Sequence, residues 1–336
     1  LPFEPIAIVG RSCLVAGALG PTALWETIVA GDDLLTDAPE GRWRTSFDRV
    51  LAASGTPGTD RAVTRRGGYV TGFDEVFDPG GFAVDRSTLE GLDPVFLWAL
   101  HTAREALRDA GLDPARAEGQ VGRVGAVFGN LSFPSAGMSA FAEHVWLERS
   151  ATWRDSAAWR AKLPRSEPEN RFSSGLPAIV LGRALALTAG SFAIDAACAS
   201  SLYAVKSACD RLHDRQADVM VAGGVNCADD LFIHMGFSAL SALSRSGQSR
   251  PFHRGADGLV PSEGAAFVAL RRLDDAVREG DAIHGVIRGV GLSNDGRGQG
   301  FLVPSSEGQV RAMQAAYRHS GVDPSSVSYL ECHATG

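Results

Sequence analysis

Short unbroken apolar runs alternate along this chain with stretches whose apolar residues recur every three or four positions. IAIVG (6–10), VGAVFGN (124–130), SFAI (191–194) and VMVAGGVN (219–226) are runs of the first kind, the signature of buried strands. The spacing predicts helices over 22–31, closed by Gly31, and over 93–114. In the second, Asp93 is expected to cap, Pro94 to occupy the first turn and Gly111 to stop it. Further helices are expected over 176–187 and after residue 199, where Leu202, Val205, Cys209 and Leu212 fall on one face. GAAFVALRRL (264–273) suggests two hairpin-like strands. After Asp281 the alternation restarts, with IHGVIRGVGLS as strand, EGQVRAMQAAYRHSGVD as helix and VSYLECH as strand. Residues 36–90 and about 131–172 lack a period and are expected to be irregular surface insertions, the second carrying Trp146, Trp153 and Trp159. Strand–helix alternation over the rest implies an α/β fold with mostly parallel pairing.

Composition narrows the function classes. At 336 residues the chain can bury a large core. Its net charge is −7, with no basic block, so nucleic acid is a poor partner. No apolar run approaches the ~18 residues of a membrane span, so no membrane is expected. Five cysteines, at 13, 198, 209, 227 and 332, are scattered and form no CxxC pair. A zinc site and a disulfide framework are both unsupported, and the cytoplasm is the expected compartment.

One of these cysteines is placed unlike the rest. In AIDAACASSLY, Cys198 lies between an apparent strand and an apparent helix, among Ala196, Ala197, Ala199 and Ser200. The first N–H groups of a helix lack internal partners and carry the positive end of its dipole, which stabilises a thiolate there. The small neighbours leave room for a bulky acyl group. Among eight histidines, His333 in ECHATG follows the apolar run VSYL, where α/β folds present groups to a cleft. Such a pair serves acyl transfer through a thioester or hydrolysis by a cysteine hydrolase; spacing alone leaves both open.

DAACASSLYAVKSACDRL (195–212) resembles the nucleophile motif of β-ketoacyl synthases, the condensing enzymes of fatty-acid and polyketide assembly. EPIAIVG, VMVAGGVN, SALSRSGQSRPFHRGADGLVPSEGAAFVAL, SNDGRGQGFLVPS and ECHATG resemble further family motifs, in the family's order, from residue 4 to 336. GRSCLVAG (10–17) is a loose version of the opening motif. NLSFPSAGM and NRFSSGLPA are more similar to iterative synthases, of the enediyne or polyunsaturated-fatty-acid type, than to modular ones.

The resemblance implies a thiolase-like fold, five layers αβαβα from two similar α/β halves, as a homodimer. Residues 1–275 would form the first half and 276–336 the start of the second. The family's lysine, second histidine and Gly/Phe-rich loop would follow and cannot be located here. It implies that Cys198 takes an acyl group from the phosphopantetheine arm of an acyl carrier protein. Malonyl on a carrier would lose CO₂ to give an enolate, and His333 would stabilise its oxygen. No metal or directly bound cofactor is implied; an acyltransferase domain of the same synthase is an implied partner. Two alternatives stand beside this reading: a non-catalytic fragment or scaffold, and a thioester hydrolase or acyltransferase using the same Cys and His.

Overall fold

The computed structural model describes residues 3–52, 60–112, 122–149, 167–297 and 303–335. Its centre is one six-stranded sheet built from β1 (Ile6–Val15), β2 (Val124–Asn130), β3 (Ser191–Ile194), β4 (Val219–Asn226), β5 (Gly264–Arg272) and β6 (Gly285–Ile287). The spatial order is β3-β2-β4-β5-β1-β6. β2 pairs parallel with β3 and β4, whereas β4–β5, β5–β1 and β1–β6 are antiparallel. The sheet is therefore mixed, not mostly parallel. β5 enters at the end where β4 leaves, Gly264 opposite Asn226, and so must run back along it. GAAFVALRR is one continuous strand rather than two, because β4 and β1 flank it along its length.

Alternate residues of the central strands face two cores. Ala126, Phe128, Val219, Val221, Phe267 and Ala269 face the first, where α2 (Pro94–Asp109) and α4 (Leu176–Ala184) pack. Val127, Met220, Ala222 and Leu270 face the second, against Ala204, Ala208, Cys209 and Leu212 of α5 (Ser200–His213). Helix, sheet and helix thus form three layers, with period 2 in the strands sorting the side chains. Gly10 is required where α2 crosses β1: a Cβ there would lie 2.1 Å from the Ala106 carbonyl oxygen.

Helix ends differ from expectation in detail. α1 is Pro21–Ala30, with Gly20 rather than Thr22 before it and Gly31 left-handed after it. Asp93 precedes α2 but caps nothing in it. Its carboxylate instead accepts the Gly137 N–H of α3 (Ala136–Arg149) at 3.0 Å. Gly111, at φ +70°, turns the chain away after α2 as expected.

The described part of region 36–90 is mostly irregular, as expected, but it is not all surface. It holds single helical turns at Phe47–Val50, Phe73–Val76 and Arg86–Leu89, and a ribbon pairing Thr36–Asp37 with Arg66–Gly67. Ala38, Trp43, Val50, Ala62 and Tyr69 form a core of their own. It closes against Leu231 and Met235 of α6 (Asp230–Ala239). The region lacks a period because each short piece contributes only one or two anchors. In the second aperiodic region α3 is a regular helix carrying Trp146; Trp153 and Trp159 lie outside the described residues.

After α7 (Leu273–Glu279) the expected strand over 283–293 is realised only at 285–287. β1 begins opposite Ile287, at Ile6, and offers no partner beyond it. The expected helix forms as α8 (Ser306–Ser320). VSYLECH forms no strand. It has no hydrogen-bonded neighbour strand among the described residues, and Tyr329 and Leu330 are exposed. Among the described residues no helix is long and apolar enough to cross a membrane.

Candidate active site

β2, β3 and β4 all point their carboxyl ends to one edge of the sheet, where an α/β fold presents its chemistry. At that edge the chain leaves β3, makes a tight elbow over residues 195–199 and enters α5. Cys198 is exposed, two positions before the first helical residue, Ser200. The amide N–H groups of Cys198, Ser201 and Leu202 find no acceptor among the described residues. The thiol therefore sits beside the free donors of a helix start, as the sequence led us to expect.

How the elbow is held was not legible from the motif. Ala197, with no glycine's freedom, adopts φ +50°, a left-handed conformation that costs an L-residue about 1–3 kcal/mol. Four hydrogen bonds hold the elbow there. Asp195 accepts the Ser132 N–H at 2.8 Å and the Ala197 N–H at 3.1 Å. Ser200 Oγ donates to the Ala197 carbonyl at 2.6 Å and accepts the Ala196 N–H at 2.8 Å. Those two amide donors, Ser132 first, draw the Asp195 carboxyl below its ordinary range against the smaller effect of burial. Beneath the elbow, a Cβ on Gly129 would come within 2.7 Å of Ser200 Cβ, so glycine at the end of β2 lets the helix start seat directly on the strand. Asp195 and Ser200 are positioning residues that sequence reasoning passed over. The available signal was their place beside Cys198, three before and two after.

This arrangement yields a test of positioning. Asp195→Ala should slow acylation of Cys198 by a small acyl thioester roughly ten- to hundredfold, because misplacing an attacking atom by about 1 Å costs that much. Asp195→Asn, which keeps an acceptor for the Ala197 N–H, should recover most of the rate. Equal rates for all three proteins would show that the elbow needs no such clamp.

His333 is placed differently. It lies on an exposed extended segment and has no hydrogen-bond partner among the described residues. The structure records no contact between it and Cys198. Several other histidines have structural partners: His213 bonds the Glu4 carbonyl, His284 pairs with Asp109 and His319 bonds the Val290 carbonyl. His234 is buried between Trp43 and Tyr69 and bonds the Asp230 carbonyl. Among the described residues no group of three or more His, Cys, Asp or Glu could hold a metal ion.

A second polar cluster lies where β4 ends and β5 begins. Arg42 bonds Asp230 through Nε and Glu263 through Nη2, and Glu263 also accepts the Val70 N–H at 2.7 Å. Arg44 bridges Asp229 and Glu143 beside it. One guanidinium cannot neutralise two buried carboxylates. Burial, then the charge of Asp230, pushes the Glu263 carboxyl up to about 7.

The chain matches two family models in sequence: β-ketoacyl synthase, N-terminal domain, over residues 3–276, and β-ketoacyl synthase, C-terminal domain, over 284–336. It is 34% identical to a mycocerosic acid synthase-like polyketide synthase of Mycolicibacterium smegmatis, over 99% of this chain and 15% of that protein. Its fold superposes with a TM-score of 0.87 on a PfaC keto synthase–chain length factor, 35% identical, over 99% of this chain and 36% of that one. The ketosynthase from module 6 of the bacillaene synthase of Bacillus subtilis 168 gives 0.77 at 27% identity, over 98% and 51%. The chain thus spans a small part of that curated relative and about a third to a half of those solved chains. With two family models that together span nearly the whole chain, and a cysteine elbow on a mixed sheet of this order, this protein is a member of the β-ketoacyl synthase family, with the α/β, thiolase-like fold of its ketosynthase domains.

Proposed function

We propose that this chain carries the nucleophile of a decarboxylative condensation in polyketide chain elongation. Cys198 Sγ attacks the thioester carbonyl of an acyl group on the phosphopantetheine arm of an acyl carrier protein. The acyl–sulfur bond to the arm breaks, and the arm leaves as its thiol. Malonyl on a carrier then loses CO₂, the resulting enolate carbon attacks the Cys198 thioester carbonyl, and the acyl–Sγ bond breaks, returning Cys198 as its thiol and leaving the β-ketoacyl product on the carrier. The observation that carries this reading is the elbow: an exposed thiol beside unpartnered amide donors at a helix start. Such donors stabilise the oxyanion of each tetrahedral step, at about 10²–10³ in rate per donor.

His333 Nε2 is assigned the hydrogen bond to the enolate oxygen, on its motif rather than its place here. Residues 1–275 serve as the first half of the fold and 276–336 as the beginning of the second. The carrier and an acyltransferase domain of the same synthase are the partners. A homodimer is supported by β3, an edge strand that itself carries the exposed Phe192.

The test separates loading from condensation. His333→Ala should still accept an acyl group on Cys198, read as a mass shift of the peptide carrying it. It should release labelled CO₂ from malonyl-carrier about 10²-fold more slowly or worse. Equal loss of both steps would remove His333 from the enolate step. A scaffold reading is favoured by one observation, that no second catalytic group among the described residues is brought against Cys198. It predicts no acyl adduct on the wild-type chain at all.

A further inference from the structure

Ala204, Ala208 and Leu212 bury one face of α5 against the strands. Tyr203 lies beside that face and is half-buried. Its amide N–H donates to the Ala199 carbonyl at 3.0 Å, closing the first turn next to Cys198. Its hydroxyl donates to the Ser293 carbonyl at 3.4 Å, 90 positions further along the chain. Among the described residues this is the only hydrogen bond between α5 and the stretch 284–335.

Ser293 opens a turn that is built onto α8. Asn294 Oδ1 accepts the Gly296 N–H at 2.6 Å, and Arg311 Nη2 of α8 donates to the Asn294 carbonyl at 2.8 Å. Asp295 accepts the N–H of Ser305, the residue that caps α8, at 3.2 Å. The stretch before the turn is seated as closely, since a Cβ on Gly291 would come within 2.0 Å of the Ala312 carbonyl oxygen. Turn and α8 thus form one packed unit, and the chain runs on from it to His333. The other polar contacts of 284–335 with the rest of the described chain lie around β1. There β6 pairs with β1, His284 bonds Asp109, and the Phe3 N–H donates to the His319 carbonyl. β6 is one edge of the sheet, and the Cys198 elbow leaves β3 at the other.

We infer that Tyr203 is a positioning residue for condensation, its hydroxyl holding the unit that leads to His333 in register with the Cys198 helix. This rests on the decarboxylative condensation proposed above. Acyl loading needs only the elbow, which Asp195 and Ser200 hold without the Tyr203 hydroxyl. Condensation also needs the enolate carbon placed at the Cys198 thioester carbonyl, with its oxygen stabilised from the far side of this tether. A shift of the unit therefore slows decarboxylation and carbon–carbon bond formation and leaves acyl transfer to Sγ untouched.

The experiment compares wild type with Tyr203→Phe, which keeps the ring and removes the donor, and with Tyr203→4-aminophenylalanine, which restores an N–H donor. Loading by a small acyl thioester is read as a mass shift, and condensation as labelled CO₂ released from malonyl-carrier by the loaded protein. In Tyr203→Phe, kcat for CO₂ release should fall about tenfold, with KM for malonyl-carrier and the loading rate unchanged. The 4-amino variant should recover most of that loss. Unchanged CO₂ release in Tyr203→Phe overturns the inference. So does an equal fall in loading, or a 4-amino variant no faster than Tyr203→Phe. Amide hydrogen exchange reads the tether without turnover. The Gly296 and Ser305 amides should exchange about tenfold faster in Tyr203→Phe, and equal exchange also overturns the inference. If the wild type loads but releases no CO₂, the condensation reading fails, while the exchange rates still decide whether Tyr203 holds the turn.

Discussion

Cys198→Ala should lose acyl loading by about 10³-fold or more, and with it all condensation, while the fold stays unchanged. Removing a nucleophile eliminates the covalent step itself, so no remaining donor can compensate. The fold should tolerate the change because Cys198 is exposed and the elbow is held by Asp195 and Ser200, not by the thiol.

The other four cysteines cannot take over, for reasons the structure gives one by one. Cys13 and Cys209 are buried, and burial raises both thiols, Cys209 to about 12. Cys227 is partly buried beside Glu263 and Arg42, and burial pushes its thiol well above the ordinary value. Only Cys332 is also exposed, but it lies on an extended segment with no helix start behind it. Limited alkylation with iodoacetamide followed by peptide mapping should mark Cys198 first and Cys332 next. Acyl adducts should appear on Cys198 alone. An adduct on Cys332 in the wild type, or loading that survives in Cys198→Ala, would move the nucleophile elsewhere.

The elbow could be read from the chain because its signal is local. An apolar run, four small residues and a helix-spaced face follow one another without a break from Ser191 to Leu212, and a family motif runs through them. β2 and β4 could be read to the residue for the same reason, since both are buried on both faces. Pairing direction could not. That β5 lies between β4 and β1 is a fact about residues more than two hundred positions apart. The clamps on Ala197 were hidden because Asp and Ser beside a cysteine look like any turn residues until Ser132 is brought to them. VSYLECH shows the converse failure. Its alternation fits a strand, but a strand exists only with a neighbour to bond, and none of the described residues supplies one. The 36–90 region failed differently: Trp43 is a core residue packed on Phe47, four positions on, and on His234 from a distant segment of the chain.

The Arg42 cluster belongs to that same distant packing, and it carries the second large effect. Arg42→Met leaves Asp230 and Glu263 buried without a cation and should destabilise the protein by about 3–5 kcal/mol at pH 8. The loss should shrink on acidification to pH 5, because both carboxyls can then take protons. The wild-type cluster has a milder dependence of the same sign. Glu263, raised from 4.5 to about 7 chiefly by burial, binds its proton more tightly folded than unfolded. Its contribution to stability is therefore full below about 4.5 and is lost as pH rises through about 7. Glu263→Gln, which is permanently neutral, should match the wild type near pH 5. It should become relatively more stable by about 1–3 kcal/mol by pH 8. Burial lowers His101 and His234, which titrate with the opposite sign, gaining stability as pH rises. Both residues are present in each protein, so the difference between the two denaturation curves isolates Glu263. A difference that stays flat from pH 5 to 8 would mean that Arg42 keeps both carboxylates charged in the fold. A difference that grows toward low pH would reverse the sign of the whole argument.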